Sequence, residues 1–474
     1  MENEQSPIII WYRRDLRLSD HPALNAAVQS GRSVIPVYIL DNLAQTLGAA
    51  PKWRLSLGLE ALQQRLTQVG SRLILRQGNA IEVLQQLVRE TGASAVYWTR
   101  AYDPDSIERD SSIKTTLKDQ GVEAKSFSGH LLFEPWTVAT KSGQPFRVFT
   151  PMWRAVQHRD VDPPVPTPNR LIAPPAWPKS DDIGSWAMGA AMNRGAGVVA
   201  QHVRAGEEAA FDVLEAFVGR VSDYSNDRDR LDYNGTSALA EYLSLGEISP
   251  RSIWHRVRIS EMNGVSGTGA YLRQLVWREF AYHLMFHTPH LLGDNWKPEW
   301  DAFPWRFDED NPKVIAWKTA RTGIPVVDAG LREMYVTGRM HNRARMIVAS
   351  YLTKHLMTHW KVGLRWFEDC LVDWDPASNA MGWQWVAGSG PDASLFFRIF
   401  NPVTQQEKFD PSSAYVRKWV AEGQTAPPDT ALAYFEAIPR AWGLEPTDNY
   451  PAPIVSLSEG RAQALAAYEH RKTQ

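Results

Sequence analysis

The sequence predicts an α/β domain with a parallel sheet at the start of the chain, followed by an all-α domain. Short apolar runs alternate with helical stretches over residues 1–130, which is typical of strands and helices in turn. From residue 206 onward helical periodicity dominates, and strand signals are nearly absent. A chain of 474 residues is also too long for one ordinary hydrophobic core, which supports the division.

Four short strands are predicted in the first domain because their residues are apolar and rich in β-branched or aromatic side chains. They span residues 8–12, 34–40, 73–75 and 95–97, with predicted helices over residues 53–69 and 80–90 between them. This alternation indicates a Rossmann-like parallel sheet covered by helices. The turn after the first strand contains neither GxGxxG nor GxxxxGK[ST], so no dinucleotide or nucleoside triphosphate loop is predicted there.

A proline-rich segment separates the two domains. Residues 162–178 contain seven prolines, which disfavour regular structure and indicate a linker. The predicted boundaries are residues 1–130 for the first domain, 131–205 for the linker and 206–474 for the helical domain. The predicted helices of the last domain span residues 207–221, 237–243, 250–259, 271–286, 313–320, 326–335, 342–357 and 364–371.

Composition excludes several classes of site. The single cysteine, Cys370, excludes a disulfide framework, a cysteine-rich zinc site and a four-cysteine iron–sulfur cluster. It also fits a reducing compartment, and residues 1–12 resemble neither a signal peptide nor a spanning helix. We therefore expect a cytoplasmic protein without a membrane segment. Because the net charge is -2, a nucleic-acid site would have to be a local basic groove.

The segment GRMHNRARM, residues 338–346, is the densest polar motif. On a helix Asn342 and Met346 are four residues apart and share a face, with Arg345 beside them. A solvated basic helix would give the same pattern. This segment alone therefore leaves both a surface helix and a binding face open.

The segment DWDPASNAMGWQW, residues 373–385, begins with two acids. Asp373 and Asp375 stand just before Pro376, which suits a helix start. They can cap the helix, coordinate a cation or accept hydrogen bonds from a ligand. Because no histidine is near, we expect no metal site. Trp383 and Trp385 lie among glycines, which permit close approach of a flat ligand.

Two further segments suggest contacts with a ligand. Residues 235–239, GTSAL, predict a helix start whose amides and hydroxyls suit a pyrophosphate, although a plain capping box gives the same pattern. Gln274 and Trp277 are three residues apart on a later helix and can face the same space. The 20 tryptophans fit aromatic cores, redox cofactors and base stacking alike.

Together these segments resemble the photolyase/cryptochrome family, and the similarity covers nearly the whole chain. The motifs that carry it are WYRRDLRLSDHPAL, TSALAEYLSLGEISPR, LRQLVWREF, TGIPVVDAGLREMYVTGRMHNRARM, DWDPASNAMGWQW and FFRIFNPVTQQEKFD. The resemblance implies FAD in the α-domain, with the α/β domain as an antenna domain. It also implies a monomeric, light-driven enzyme that repairs cyclobutane pyrimidine dimers in UV-damaged DNA.

The resemblance further implies roles for individual residues. It implies FAD contacts from Tyr224, Thr236, Ser237, Leu239, Arg345, Asp373, Asp375 and Asn379, with Asn379 facing the flavin N5. It implies electron transfer through Trp383, Trp360 and Trp305, although their spacing does not show that they meet. It implies dimer contacts from Trp277, Gln274, Asn342, Met346 and Trp385, and DNA phosphate contacts from Arg228, Arg278, Arg343 and Arg398.

Several positions depart from the family's common pattern. Gln274 stands where the usual dimer-splitting enzymes have glutamate, and the (6-4) enzymes also have glutamine there. Asn342 and Met346, however, stand where the (6-4) enzymes have histidines, and without that proton donor the cyclobutane dimer is the favoured substrate. Arg339 and Ala240 replace a usual tryptophan and a usual serine near FAD.

The antenna pigment is the least defined part of the resemblance. Ser106, Leu292 and Gly293 stand where the familiar bacterial folate site has an acid, a cysteine and a lysine. Methenyltetrahydrofolate is the expected antenna, bound elsewhere or through other contacts. Three alternatives remain: a cryptochrome-type blue-light photoreceptor, a (6-4) photolyase, and a helical nucleic-acid binder that would be colourless.

Overall fold

A five-stranded parallel sheet forms the first part of the chain. The computed structural model describes residues 6–192, 195–393 and 397–472. The strands are Ile8–Tyr12 (β1), Val34–Leu40 (β2), Ile74–Gln77 (β3), Ala95–Thr99 (β4) and Glu123–Phe127 (β5). Their order is β3-β2-β1-β4-β5, and every neighbouring pair is parallel. The predicted Rossmann-like α/β domain is therefore confirmed.

Helices cover both faces of this sheet. The helices up to residue 200 are Pro22–Gln29 (α1), Asn42–Gln45 (α2), Ala49–Gln68 (α3), Ala80–Thr91 (α4), Pro104–Asp119 (α5), Phe149–Val156 (α6) and Ala196–Ala200 (α7). Leu24 of α1 and Leu59 of α3 belong to the core on one face. Leu84 of α4 and Leu117 of α5 belong to the core on the other. Since both faces are covered, β1 and β2 are buried along their whole length.

The rest of the described chain is helical, as predicted. Its α-helices are Glu207–Val218 (α8), Tyr224–Asp227 (α9), Ala240–Leu245 (α10), Pro250–Met262 (α11), Thr268–His287 (α12), Pro312–Lys318 (α13), Pro325–Thr337 (α14), Asn342–Ser350 (α15), Trp360–Cys370 (α16), Pro376–Ala387 (α17), Pro402–Phe409 (α18), Ala414–Trp419 (α19), Asp429–Ala437 (α20) and Leu457–Lys472 (α21). Among the described residues, no helix combines the length and apolar character that a membrane crossing needs.

The prediction of one helix over residues 342–357 is wrong in its second half. α15 ends at Ser350, and Tyr351–His355 forms a π-helical turn. The buried Lys354 belongs to this turn and donates a hydrogen bond to the carbonyl oxygen of Ala387. Such wide turns interrupt α-helices frequently at functional sites, and apolar periodicity does not distinguish them from a continuous helix.

The start of α10 also differs from the prediction. α10 begins at Ala240, whereas the sequence predicted a helix from residue 237. Ala238 has a φ of 55°, so the chain adopts a left-handed conformation just before the helix. Thr236 and Ser237 therefore lie in a loop, and the predicted helix N-terminus at these residues is wrong.

The loop after β1 fastens the sheet to the helical domain. Arg17 donates to the carbonyl oxygen of Gly246 at 2.8 Å, and Arg251 of α11 binds the Asp20 carboxylate at 2.6 Å. Within the predicted linker, Phe149 at the start of α6 stacks on Trp277 of α12. The domain boundaries at residues 130 and 205 stay a prediction.

Candidate functional site

A cavity of about 980 Å³ lies inside the helical domain. Helices α10, α12 and α14–α17 contribute to its wall, together with the loop before α10. The predicted site residues in its lining are Tyr224, Thr236, Ser237, Leu239, Gln274, Arg278, Asn342, Arg345, Met346, Asp373, Asp375, Asn379 and Trp383. The structure thus brings together residues from distant parts of the sequence around one space of ligand size.

An ion pair joins the GRMHNRARM and DWDPASNAMGWQW segments in this wall. Arg345 Nη2 donates to Asp373 Oδ2 at 2.6 Å, and Arg345 Nε donates to the carbonyl oxygen of Met340 at 2.9 Å. These two bonds fix the guanidinium plane of Arg345. The other carboxylate oxygen, Asp373 Oδ1, is buried and has no hydrogen-bond partner among the described residues. Asp373 therefore offers one acceptor to a ligand.

Asp375 is the N-cap of α17, which was one of the options left open by the sequence. Its Oδ1 accepts from Ser378 N at 2.8 Å, and its Oδ2 accepts from Arg14 Nη2 at 2.9 Å and Tyr282 Oη at 2.5 Å. Burial alone raises the pKa of the Asp375 carboxyl. Attraction to Arg14 and Arg278, with the bond from Tyr282, outweighs burial and lowers the pKa below its ordinary value.

Asn379 follows one turn later on α17 and is also buried. Its Nδ2 donates to the main-chain oxygen of Asp375 at 3.0 Å, which holds the amide group in one orientation. The side-chain oxygen of Asn379 is then the atom available to a ligand. On α15, Asn342 lies over Met346, with Asn342 Nδ2 3.8 Å from Met346 Sδ, so their predicted shared face is confirmed.

His341 contributes a donor that the sequence did not single out. It is the N-cap of α15, where its Nδ1 accepts from Arg343 N at 3.0 Å. The proton of the neutral ring must therefore be on Nε2, which is buried and has no partner among the described residues. Burial lowers the pKa of His341 to about 4, so the ring is neutral at physiological pH.

Of the three tryptophans predicted to transfer electrons, Trp383 lines the cavity and the other two lie outside its lining. Trp383 lines the cavity, and a Cβ on Gly363 of α16 would overlap its ring, so only glycine permits this contact. Trp360 lies one turn before Gly363, at the start of α16. The ring centroid of His359 is 5.3 Å from that of Trp360 and 5.2 Å from that of Trp305.

Trp277 and Trp385 do not belong to the lining of the cavity. The ring of Trp277 stacks on Phe149 at 3.7 Å between centroids, so one of its faces is already covered. Trp385 Nε1 donates to the carbonyl oxygen of Asp392 at 3.1 Å. Both side chains are only half-buried, and each is three residues from a lining residue, Gln274 or Gly382.

Three of the four arginines predicted to contact DNA lie at or near a surface depression of about 460 Å³. Arg343 and Arg398 line it together with Arg230 and Lys408. Arg343 and Arg228 both approach the Asp229 carboxylate, at 2.9 Å and 3.9 Å. Arg398 is exposed, with its guanidinium over the ring of Trp385. The depression therefore combines four cationic side chains with one carboxylate, Asp229, and the DNA contacts stay a prediction.

Arg278 lies in a different place, inside the cavity wall. Only 10% of its side chain is exposed, and its amino groups contact the carbonyl oxygen of His130 at 2.9 Å and His130 Nε2 at 2.8 Å. The phosphate contact predicted for Arg278 stays a prediction, and two of its five N–H donors already have partners within the protein.

Several contacts around the cavity were not predicted from the sequence. Arg339 binds Glu241 through two hydrogen bonds, at 2.8 Å and 2.6 Å, and both side chains line the cavity. Arg14 and Tyr282 contact the buried carboxylate of Asp375. The only sequence signal for Arg14 was its place in the RRDLR loop, because its contact with Asp375 spans 361 positions.

The wall has the unsatisfied groups that a polar, flat cofactor such as FAD would meet. Asp373 Oδ1, His341 Nε2 and Trp383 Nε1 are all buried without a partner among the described residues, and all three side chains line the cavity. A Cβ on Gly382 would have no atom within 4 Å, so the wall at this glycine is open. In the described ranges, no group of three or more His, Cys, Asp or Glu side chains is arranged to hold a metal ion.

Comparisons with known proteins agree with this site. Residues 271–470 match the family described as the FAD binding domain of DNA photolyase, and residues 8–169 match the family described as DNA photolyase. The chain is 46% identical to a deoxyribodipyrimidine photo-lyase of Agrobacterium fabrum, over 99% of this chain and 98% of that protein. It is 34% identical to Cryptochrome-1 of Arabidopsis thaliana, over 96% of this chain and 69% of that protein.

Solved structures give the same result. A bacterial class III photolyase from Agrobacterium tumefaciens superposes with a TM-score of 0.90 at 44% identity, over 99% of this chain and 98% of that one. An archaeal photolyase from Sulfolobus tokodaii, described with two FAD molecules, superposes with a TM-score of 0.79 at 29% identity, over 98% and 100%. Fold and site together define an FAD-binding flavoprotein. The chain belongs to the DNA photolyase family.

Proposed function

We propose that this protein splits cyclobutane pyrimidine dimers in UV-damaged DNA with the energy of absorbed light. The observation that carries the proposal is a single cavity with two kinds of wall. The first wall is polar, with the Arg345–Asp373 pair and Asn379, and of these Asp373 and Asn379 are buried. The second carries Gln274 and the exposed Asn342, which suit the base edges of a lesion. Reduced FAD, when bound and excited, supplies the electron that opens the dimer.

The chain's own residues would hold the cofactor beside the lesion. The polar edge of the flavin suits two acceptors in the wall. These are the unsatisfied Oδ1 of Asp373 and the side-chain oxygen of Asn379. Three further lining residues suit the diphosphate and the ribityl chain: Thr236 and Ser237 in the loop before α10, and Tyr224 in the short helix α9.

The residues that would contact the lesion favour the cyclobutane dimer over the (6-4) product as the substrate. Enzymes that act on a base, photolyases among them, take the nucleotide out of the duplex into a pocket. Asn342 and Gln274 would hydrogen-bond the base edges, and Met346 would pack beneath them. Neither Asn342 nor Met346 can donate the proton that (6-4) chemistry needs. The splitting of a cyclobutane dimer needs only the transfer of an electron to the dimer and its return, so it does not need such an acid.

The proposal is tested by illuminating the reduced protein with two oligonucleotides, one with a thymine cyclobutane dimer and one with a (6-4) product. We expect the dimer to be split in the light only, and the (6-4) product to persist, as read by chromatography. Gln274→Glu should keep the dimer activity because either side chain accepts a hydrogen bond. Repair of the (6-4) product with the dimer left intact would overturn the proposal.

Stacking by Trp277 gives a second test. Because Phe149 already covers one face of Trp277, a flipped dimer would use the other face. Trp277→Ala should therefore weaken binding of dimer-containing DNA by about 1–3 kcal/mol, with much less effect on undamaged DNA, in a fluorescence anisotropy titration. Arg398→Ala is the matched control. It should weaken both DNAs alike and reduce the salt dependence of binding. Equal weakening of both DNAs by Trp277→Ala would contradict the stacking role.

We also propose methenyltetrahydrofolate as the antenna pigment, on the family resemblance alone. The archaeal neighbour described with two FAD molecules makes a second FAD the competing candidate. Protein purified in the dark should release FAD and a folate in equal amounts on denaturation, as quantified by chromatography with fluorescence detection. Release of FAD at twice the protein concentration, without folate, would identify the competing antenna. Release of FMN, or of no flavin, would contradict the site itself.

We further propose that the protein works as a monomer in the cytoplasm. The single cysteine, which is buried, supports a reducing compartment.

A further inference from the structure

The loop of the sheet domain that follows β1 contacts the wall of the helical domain's cavity through Arg14, whose partners Ser244 and Asp375 line that cavity. Arg14 Nε donates to the main-chain oxygen of Ser244 at 2.7 Å, and Arg14 Nη2 donates to Asp375 Oδ2 at 2.9 Å. The first bond fixes the orientation of the guanidinium, and the second places its positive charge next to the carboxylate. The side chain of Asp375 is 9% exposed and that of Arg14 is 34% exposed, so the carboxylate is nearly buried while the guanidinium keeps some contact with water.

Both carboxylate oxygens of Asp375 accept hydrogen bonds. Ser378 N binds Oδ1, and Tyr282 Oη binds Oδ2 beside Arg14. Tyr282 Oη is in turn 2.9 Å from His130 Nε2, which also contacts Arg278. Burial places the pKa of His130 well below its ordinary value, so this ring is neutral and adds no charge. Arg14 is therefore the only cation in direct contact with Asp375 among the described residues.

The two acids of the DWD segment have separate cationic partners. Arg345 pairs with Asp373 from within the helical domain, and Arg14 pairs with Asp375 from the sheet domain. Each carboxylate is thus balanced, and the cavity wall carries no uncompensated negative charge from this segment. An electron added to a ligand in the cavity is disfavoured by a nearby unpaired carboxylate, and more strongly where water is excluded.

We infer that Arg14 is a positioning residue for the cofactor site: it holds Asp375 in place and neutralises it, and so makes the FAD beside it easier to reduce. This inference rests on the proposed function, with FAD bound in the cavity that Asp375 lines. The sheet domain would then take part directly in setting the redox behaviour of a cofactor bound in the other domain.

The test is a reductive titration of the FAD-loaded Arg14→Gln variant against a reference dye. We expect the reduction equilibrium to move at least about tenfold toward oxidised FAD, which corresponds to about 30 mV for a two-electron couple. Arg14→Lys, which keeps the charge, should lie close to the unaltered protein. Arg251→Gln is the matched control, because it removes another buried arginine–aspartate pair between the domains, with Asp20, that does not line the cavity.

A double-mutant cycle separates charge from structure. Asp375→Asn alone should favour reduced FAD, and Arg14→Gln combined with Asp375→Asn should return the equilibrium toward that of the unaltered protein. An unshifted Arg14→Gln, or an Arg251→Gln shift of the same size, would overturn the inference. If Asp375→Asn shifts the equilibrium while Arg14→Gln does not, only the role of Arg14 fails. If neither does, FAD does not lie beside Asp375, and the proposed cofactor position fails.

Discussion

Replacing Trp383 by phenylalanine is expected to remove most of the light-driven reduction of FAD. Of the three tryptophans expected to transfer electrons, Trp383 lines the cavity, and the ring of His359 contacts both Trp360 and Trp305. Because a phenyl ring is far harder to oxidise than an indole, phenylalanine in the same place would remove the electron donor that lines the cavity. The rate is read from the flavin absorbance during blue illumination with an external reductant.

A comparison of variants makes this result specific. Trp254→Phe is the control, because Trp254 is also buried but lies in the other helical core, outside the cavity lining. It should leave photoreduction unchanged. Trp383→Phe protein that has been reduced chemically beforehand should still split dimers, because the reduced cofactor itself supplies the electron. Full photoreduction in Trp383→Phe would mean that another donor feeds FAD.

The strands were predictable where both faces are buried. β1 and β2 were predicted with their correct bounds because their residues are uniformly apolar. β5 was missed because Glu123–Phe127 lies at the edge of the sheet and alternates exposed and buried positions, so its composition is half polar. The π-helical turn at Tyr351–His355 was also missed, because apolar periodicity continues through it.

The site was predictable where its geometry is local. The shared face of Asn342 and Met346 and the N-cap at Asp375 both follow from spacing within one helix. Contacts between distant segments were not predictable. The Arg14–Asp375 contact joins two domains, and the placement of Arg278 inside the wall depends on His130 from the other domain's edge. A sequence pattern places a residue on a helix face, but packing decides what that face meets.

Replacing Arg54 by methionine is expected to have the largest effect on stability. Arg54 of α3 and Glu247, in the turn between α10 and α11, form a fully buried pair between the domains. Arg54 Nη1 donates to Glu247 Oε1 at 2.9 Å, and Glu247 Oε1 also accepts from Gly206 N at 2.9 Å. Burial raises the pKa of Glu247 even with its partner present. Arg54→Met would leave this carboxylate buried without its counter-ion.

Breaking a buried pair from one side costs about 3–5 kcal/mol, a large part of the roughly 5–15 kcal/mol that stabilises a typical domain. The urea midpoint of FAD release and of tryptophan fluorescence should fall together. Arg258→Met, which breaks the exposed pair with Glu261, should cost no more than about 1 kcal/mol. Adding Glu247→Met to Arg54→Met should recover much of the loss, since a buried pair replaced by apolar side chains leaves no charge unpaired. If the double variant is no more stable than Arg54→Met, the lost stability comes from packing and not from the unpaired buried carboxylate of Glu247.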